Sequence, residues 1–270
     1  MVNSIRRSFQ AYGAIASMAI KAHLAYNLWF WADSISTIGM MIIFTFFWRA
    51  VYTQTDILGG LKLNQTISYI LLARILAPLV ETRTIFFFGF LIREGQIASE
   101  LTRPLNFQFR YLVENLAETG IFLIQRIPIF LIAWLLLGLQ LPSELNNWVY
   151  FIISLILGQL IVFLFDWTFA CIAFYTTETW GLSVMRLAVG SFFGGALIPL
   201  TMMPDWLQKI AAVLPFSQVI AVPVSFLGGL VPPEQVSHFW VVQLIWVVVM
   251  IIISKLVFNY AVQKITVQGG

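Results

Sequence analysis

Several charged residues stand inside long apolar runs of this sequence, where a charge needs a partner or a function, and six of them are singled out as candidates. They are Arg74, Glu81, Glu114, Glu118, Arg126 and Asp166. Charges at membrane depth face the interior of a helix bundle or a water-filled cavity, and many of them mark transport paths. The six are therefore candidates for an intramembrane polar path. Two roles stay open for them at this point, which are contact with cargo and structural ion pairing.

The spacing of these charges predicts which way some of them point. Arg74, Pro78 and Glu81 fall at i, i+4 and i+7, on one face of a helix, and we expect this face to point into the bundle. An ion pair between spans or subunits is the structural alternative to cargo contact on this face. Arg126 lies well inside its own apolar run and needs a carboxylate or a water-filled cavity.

Motifs for nucleotide, metal and nucleophile chemistry are missing from the sequence. No lysine directly follows a glycine, which excludes the Gly-Lys-Ser/Thr loop of an ATPase. His23 and His238 are far apart, and neither belongs to a His-Glu-x-x-His pattern. The single cysteine, Cys171, can form no disulfide within the chain. The sequence therefore predicts a chain that is not an enzyme and that binds no cofactor or metal of its own.

The composition places these residues in a membrane. The 270-residue chain is 60% hydrophobic and 10% charged, with a mean hydropathy of +0.89, whereas soluble domains are roughly 25% charged. The net charge of +3 comes from basic residues spread thinly along the chain, so we expect them to set topology and expect no nucleic-acid partner. The predicted fold class is an all-α polytopic membrane protein with a single transmembrane domain over residues 1–270.

Apolar runs and their breaks predict the segments of this domain. The six predicted spans cover residues 28–48, 67–90, 111–140, 148–175, 183–200 and 239–256. Residues 4–27 carry apolar positions at helical spacing with basic edges, which is typical of a helix lying along the membrane face. A plain extension of the first span is the alternative for 4–27.

The most polar interval between spans, residues 91–105, predicts a short amphipathic helix that docks a soluble partner. It mixes both charge signs and places Ile97 and Leu101 four residues apart before Pro104. The interval is longer than a plain connection between two helices needs, and a solvated loop is the alternative. The residues assigned to this surface are Arg93, Glu94, Gly95, Ile97, Leu101, Arg103 and Pro104.

The stretch from Gly194 to Gly229, called the 194–229 segment below, is apolar but too broken for one span. The helix-breaking residues in this segment are Gly194, Gly195, Pro199, Pro204, Pro215 and Pro223. Together with Trp206 they are the candidate gate residues. Broken backbone at membrane depth survives only where protein buries it or where it lines a cavity. We therefore predict a re-entrant helical hairpin over residues 204–228. One proline-kinked span followed by a loop is the alternative.

Basic residues predict the orientation, because lysine and arginine favour the cytoplasmic side. With the N-terminus inside, more of them lie on or near that side than outside. The inner set is Arg6, Arg7, Lys21, Arg93, Arg103, Arg110, Arg186 and Lys264, and the outer set is Arg49, Lys62 and Lys209. We expect both termini in the cytoplasm and the hairpin on the outer side.

Several proline, glycine and charged motifs together resemble one known family, the membrane subunits of ABC-2-type ABC transporters. The motifs are Gly194-Gly195-x-x-Ile198-Pro199-Leu200, Met203-Pro204-x-Trp206-Leu207, Leu214-Pro215-Phe216, Pro223, Arg93-Glu94-Gly95 and Leu101-Thr102-Arg103-Pro104-Leu105. Their order and separation carry the resemblance, which covers essentially the whole chain.

The resemblance implies a permease that forms the translocation path of an exporter in the bacterial plasma (inner) membrane. It implies ABC ATPase subunits as partners, with ATP and Mg bound there, and a dimer with a second copy or a related permease, surrounded by membrane lipid. It also implies that residues 91–105 couple the permease to the ATPase and that the hairpin is an outer gate.

A proton- or ion-coupled secondary transporter is the alternative function, with Arg74, Glu81, Glu118 and Arg126 as its relay. Six spans without an evident inverted repeat are few for such a carrier. A purely structural membrane scaffold is a third interpretation, and it predicts no transport.

Overall fold

A computed structural model describes residues 2–25, 27–80, 84–176 and 179–264 of the chain. About 80% of the described residues are helical, which confirms the all-α membrane fold class at the level of secondary structure. The α-helices are α1 (Val2–Ala25), α2 (Asn27–Val51), α3 (Leu63–Leu76), α4 (Thr84–Arg93), α5 (Ile97–Leu101), α6 (Phe107–Gln125), α7 (Ile127–Leu136), α8 (Leu145–Ala170), α9 (Trp180–Phe193), α10 (Asp205–Val213), α11 (Ala221–Leu227) and α12 (Pro233–Val262). Short 3-10 turns cover Ala77–Val80, Cys171–Phe174, Leu200–Met202 and Pro215–Gln218.

In the part of the chain that the structure describes, five helical runs are long and apolar enough to cross a membrane, which indicates a multi-pass membrane protein. They are Phe30–Val51, Leu63–Arg93, Phe107–Leu136, Leu145–Phe174 and Pro233–Val262. Within the described residues, a sixth crossing requires that Asp205–Val213 and Pro215–Leu227, which are bent by 75°, count as one span. α9 has only 14 residues, about 21 Å of helix, which is shorter than a hydrocarbon core of roughly 30 Å.

Glycine ends the fifth apolar segment earlier than the sequence predicts. α9 stops at Phe193, and Gly195 has a φ of +75°, a conformation that favours glycine. A side-chain carbon on Gly195 would also lie 2.5 Å from the Tyr69 hydroxyl oxygen. In place of a continuous span over 183–200, the chain therefore forms a shorter helix and a sharp turn.

Proline interrupts the second span in its middle. After α3, residues Ala77–Val80 form a 3-10 turn, and Pro78 lacks the N–H group that a continuing helix would use. The regular α-helix that carries Arg74 therefore ends at Leu76, and the predicted face that joins Arg74 to Glu81 stays a prediction. Glu81 itself lies outside the described residues.

The core contains two large apolar clusters. One surrounds α3, whose residues from Thr66 to Ala73 are all buried, and includes side chains of α2, α7, α8 and α11. The other surrounds Trp167, which is fully buried and meets Phe88 edge-on at a ring-centroid distance of 4.9 Å. Aromatic rings of α6 and α12 pack against the same indole.

One end of the bundle, called the α5 end below, gathers α1, α5, the start of α6 and the end of α12. Tyr12 of α1 meets Phe109 of α6 edge-on at 4.9 Å. The Gln108 amide donates to the Ser254 hydroxyl of α12 at 3.0 Å. α5 packs into the aromatic cluster to which the first turn of α6 belongs.

The opposite end, called the α10 end below, carries a short β-hairpin whose two strands have two residues each. β1 (Ile57–Leu58) pairs with β2 (Leu61–Lys62) in antiparallel register. Gly59 and Gly60 connect them with positive φ angles of +56° and +78°, which a tight hairpin turn requires. A side-chain carbon on Gly59 would lie 2.7 Å from the Thr201 carbonyl oxygen, so the turn lies directly against the chain that leads into α10.

Candidate functional site

The predicted docking segment is held against the bundle by its apolar residues and exposes its charged ones. α4 ends at Arg93, and Gly95, with a φ of +68°, turns the chain toward the five-residue helix α5. Ile97 is 4% exposed and packs into the cluster around Trp167, with Leu101 partly buried against it. Residues 93–104 are called the α5 tip below, and the predicted docking residues that are exposed there are Arg93, Glu94, Gly95, Arg103 and Pro104.

A buried ion pair fastens α5 to α6. Glu100 pairs with Arg110, and their side chains are 12% and 7% exposed. Glu100 also pairs with Arg103 at 2.8 Å, and Arg110 approaches Glu114 at 3.7 Å. Because breaking a desolvated ion pair is strongly unfavourable, this pair ties α5 to the first turn of α6.

Arg110 and Glu100 are functional candidates that the sequence did not reveal. From the sequence alone, Arg110 is only a topology signal. Its i, i+4 spacing to Glu114 is readable, but its contact with Glu100 depends on how the connection between α5 and α6 folds. That connection ends where the Asn106 side chain accepts a hydrogen bond from the Phe109 amide at 2.8 Å and caps α6.

The carboxylate that pairs with Arg126 belongs to α2. Arg126 lies between α6 and α7, where Pro128 in the first turn of α7 interrupts the helix. Its side chain is 3% exposed, pairs with the half-exposed Asp33 and donates to the Thr37 hydroxyl at 2.9 Å. Its guanidinium carbon also lies 4.4 Å from the centre of the Phe122 ring. Arg126 therefore joins the α6–α7 junction to α2.

Asp166 is also held in an ion pair between helices. It is fully buried on α8 and pairs with Arg186 of α9, whose side chain is 4% exposed. The Phe165 ring centre lies 5.6 Å from the Arg186 guanidinium carbon. From the sequence, Arg186 is again only a topology signal, because no spacing rule connects it to Asp166.

The remaining path candidates have different surroundings. Glu114 belongs to the α5–α6 network, and Glu118 lies exposed one turn further along α6. Arg74 is partly exposed, and its guanidinium carbon lies 4.5 Å from the centre of the Phe44 ring on α2. No carboxylate in the described part of the chain pairs with Arg74, and Glu81 lies outside that part.

The 194–229 segment reaches deep into the bundle and leaves at the α10 end. A side-chain carbon on Gly158 of α8 would lie 2.9 Å from the Gln218 carbonyl oxygen, so the 3-10 turn after α10 touches α8 there. This contact is 13 residues from the start of α8, about 20 Å along the helix. At the end of the segment, Gly229 lies beside Asn147 in the first turn of α8. The turn Pro215–Gln218 is therefore the inner point of the segment.

Neutral hydrogen bonds hold this inner turn in place. The Gln243 amide of α12 donates to the Ser154 hydroxyl at 2.8 Å and to the Gln218 carbonyl oxygen at 2.9 Å. Gln243 and Ser154 are fully buried, and Gln218 is 4% exposed. One polar cluster thus joins α8, α12 and the inner turn. Sequence reasoning missed it, because a glutamine inside an apolar helix carries no local sign of its partners.

The two glycines after α9 allow the chain to pass close to α3 and α11. The Tyr69 hydroxyl donates to the Gly195 carbonyl oxygen at 3.0 Å. The Ala221 amide donates to the Gly194 carbonyl oxygen at 3.0 Å, so the start of α11 returns to the end of α9.

The prolines of the segment lie at or near the ends of its elements. Pro199 precedes the 3-10 turn before α10, Pro204 immediately precedes α10, and Pro215 begins the inner turn. Pro223 lies buried in the first turn of α11, where a proline removes no helical hydrogen bond. Trp206 of α10 is 62% exposed.

Comparison with known proteins gives one family match that spans most of the chain. A sequence model described as ABC-2 family transporter protein matches residues 38–269. The match includes most of α2 and all of α3 to α12, and so contains both the α5 tip and the 194–229 segment. A search among curated proteins found no match.

Proposed function

Because the chain belongs to the ABC-2 family of transporter proteins, we propose that it is the permease subunit of an ATP-driven exporter and works with separate ATPase subunits. The family and the apolar helical runs make it a transporter permease in a membrane, and the family implies ABC ATPase partners in general. The observation that carries the coupling proposal is the α5 tip, whose exposed charges stand on a base that is buried in the bundle.

Two contacts would transmit motion from an ATPase to the spans. Ile97 packs into the same cluster as Phe88 of α4, and the Glu100–Arg110 pair connects α5 to α6. Closure of the ATPase subunits on ATP would press on the α5 tip and shift both helices together. Alternating access then needs a bundle with two stable arrangements, and the breaks at Pro78 and between α6 and α7 supply bending points.

The 194–229 segment would serve as a re-entrant outer gate. Its inner turn is clamped by Gln243 and by the close approach of Gly158, which favours a fixed position. α10 lies on the exposed side of the segment, with Trp206 and Val213 62% and 72% exposed. We therefore assign the inner turn as the anchor of the gate and α10 as its moving part.

We assign no reaction to this chain, and ATP and Mg would bind to the partner ATPase. The sequence lacks a Gly-Lys-Ser/Thr loop. Over the described ranges, no group of three or more His, Cys, Asp or Glu side chains is placed to hold a metal ion. The permease would pair with a second copy or a related permease in the bacterial plasma membrane, with the α5 end and both termini in the cytoplasm.

Charge reversal at the α5 tip tests the coupling. The variant Arg93→Glu with Glu94→Lys keeps the buried base and changes only exposed residues. We expect it to lose co-purification of the ATPase subunit and ATP-dependent transport, while the permease remains folded. Arg49→Glu, at the end of α2 toward the α10 end, is the control and should change neither. Normal ATPase binding and transport by the double variant would refute the coupling assignment.

A tagged purification from the native host tests the partners. Mass spectrometry should identify a soluble ATPase subunit, with or without a second permease, in the eluate. Recovery of this chain alone after crosslinking would contradict the proposal. Transport that ignores ATP depletion but stops when the proton gradient is dissipated would instead favour the secondary transporter.

A further inference from the structure

Arg74 differs from three other arginines inside the helical runs. Each of those three pairs with a carboxylate: Arg110 with Glu100, Arg126 with Asp33 and Arg186 with Asp166. Arg74 pairs with none among the described residues, and its buried Nε atom has no hydrogen-bond partner there. Among the described residues, Arg74 is thus a positive charge inside a span that lacks the carboxylate partner of the other three arginines.

The contact with Phe44 orients this charge. The Arg74 guanidinium carbon lies 4.5 Å from the centre of the Phe44 ring, which is a favourable cation–π distance. A guanidinium carries five N–H donors in its plane, and they match the oxygens of a carboxylate or phosphate in pairs. The aromatic contact therefore orients the group, while none of its N–H donors is paired with a carboxylate of the described residues.

Burial along α3 shows where Arg74 faces. Residues from Thr66 to Ala73 are all buried, and Arg74 is the first partly exposed position, followed by Ala77 and Pro78. Arg74 is 11 residues from Leu63, about 16 Å along the helix, or half of a typical hydrocarbon core. A charge facing lipid at that depth costs about 2.5–3.5 kcal/mol or more. The partial exposure of Arg74 is therefore better explained by a polar surface along a transport path than by contact with lipid.

We propose that Arg74 binds the anionic head of an amphiphilic cargo, a carboxylate, phosphate or sulfate, that enters from the α5 end. The inference rests on the proposed permease function and adds a cargo class to it. The tail of such a molecule would meet apolar surface, since α4, which continues this run toward the α5 end, exposes Phe86, Phe87 and Phe90.

Binding of matched amphiphiles to the full permease–ATPase complex tests the proposal. The probes are laurate, lauryl alcohol and dodecyltrimethylammonium, which share a twelve-carbon tail and differ in charge, with the complex in neutral phosphatidylcholine nanodiscs. We expect Arg74→Gln to weaken laurate binding about tenfold, as loss of a charged hydrogen bond implies, and to leave lauryl alcohol binding unchanged. Arg74→Lys should retain part of the laurate affinity, because it keeps the charge but loses the paired donors.

Two control variants separate anion recognition from structural effects. Arg49→Gln removes another arginine of the α2–α3 region that stacks on a phenyl ring, that of Phe46 at 6.0 Å, and should leave all three affinities unchanged. Glu81→Gln tests whether Glu81 is a structural partner of Arg74, and we expect it to bind laurate at least as tightly as the wild type.

Three results would overturn the proposal. They are equal wild-type binding of laurate and dodecyltrimethylammonium, unchanged laurate binding by Arg74→Gln, and a parallel loss of all probes in Arg74→Gln and Glu81→Gln. If Arg74→Gln does not fold, two other measurements test the proposal. One is the comparison of laurate with dodecyltrimethylammonium binding by the wild type. The other is the variant Phe44→Leu, which should weaken laurate binding and leave lauryl alcohol binding unchanged.

The source of the anion and the function of the chain are tested separately. Displacement of laurate by phosphatidylglycerol would assign the anion site to a phospholipid head, and no displacement would assign it to a free amphiphile. Loss of anion recognition with an intact ATPase complex refutes only this inference. Absence of any ATPase partner refutes the proposed function whatever Arg74 binds.

Discussion

The two ends of the bundle are held together by different kinds of interaction. Toward the α5 end, carboxylates and arginines pair across helices, with Glu100–Arg110 joining α5 to α6 and Asp166–Arg186 joining α8 to α9. Toward the α10 end, hydrogen bonds between uncharged groups and close backbone contacts hold the helices together. The residues that do so are Gly158, Gly195, Tyr69, Ser154, Gln218 and Gln243.

This difference teaches how each end should respond to change. An ion pair depends on both of its charges, so removing one partner leaves the other unpaired in a desolvated site. A close contact at glycine depends on shape, so one added methyl group is enough to disturb it. On the proposed function, charge-linked helices suit transmission from an ATPase, and a neutral, tightly packed turn suits the anchor of a gate.

The largest effect is expected from the fully buried ion pair. Asp166→Leu leaves Arg186 charged and buried, and should lower the free energy of unfolding by about 3–5 kcal/mol. The double variant Asp166→Leu with Arg186→Met removes both charges and should recover most of that loss. Denaturant titration of the purified permease measures both. A single variant as stable as the wild type would show that the α5 half does not depend on this charge pair.

The next largest effect is expected from one methyl group at the α10 end. Gly195→Ala forces alanine into a φ of +75° and against the Tyr69 hydroxyl, and should cost about 2–3 kcal/mol. Gly120→Ala is the matched control, because a side-chain carbon there has open space within α6 and should add up to about 1 kcal/mol of stability. Equal effects of the two variants in thermal unfolding would refute the role of close packing.

A smaller effect is expected from the neutral polar cluster. Gln243→Leu removes donors to Ser154 and Gln218 and should cost about 1–3 kcal/mol. Amide hydrogen exchange should increase in residues 215–221, because the inner turn loses its tie to α12. Gln235→Leu, at an exposed position of the same helix, is the control. If amide hydrogen exchange in residues 215–221 is the same in Gln243→Leu as in the wild type, the assignment of the inner turn as an anchor is refuted.

The smallest effect is expected from an exposed charge on the α5 tip. The Arg103 side chain is 55% exposed, whereas that of Arg110 is 7% exposed, although both pair with Glu100. Arg103→Gln should change stability by no more than about 1 kcal/mol, and high salt should abolish the difference. Arg110→Gln should destabilise the protein more, and salt should change that effect little. A reversed order would show that burial does not rank these two pairs.

Local features of the sequence were enough for the class of protein and the positions of its breaks. The glycines at 194 and 195 and the prolines at 204 and 215 lie at or beside the ends of helical elements. The need of Arg126 for a carboxylate could be predicted, but the choice of Asp33 could not, because the two are 93 positions apart. The predicted face that combines Arg74 with Glu81 stays a prediction, since α3 gives way to a 3-10 turn at Ala77–Val80 and Glu81 lies outside the described residues.

The sequence by itself determined the membrane environment, the helical class and the family, because these depend on composition and on motifs read along the chain. Only the tertiary structure decided which charges are paired, that Ile97 is an anchor while its charged neighbours are exposed, and that Gln243 reaches the inner turn. Those facts depend on which helices are neighbours in space. Spacing along one helix specifies the face of a residue, whereas the partner on that face is set by packing between helices that are distant in sequence.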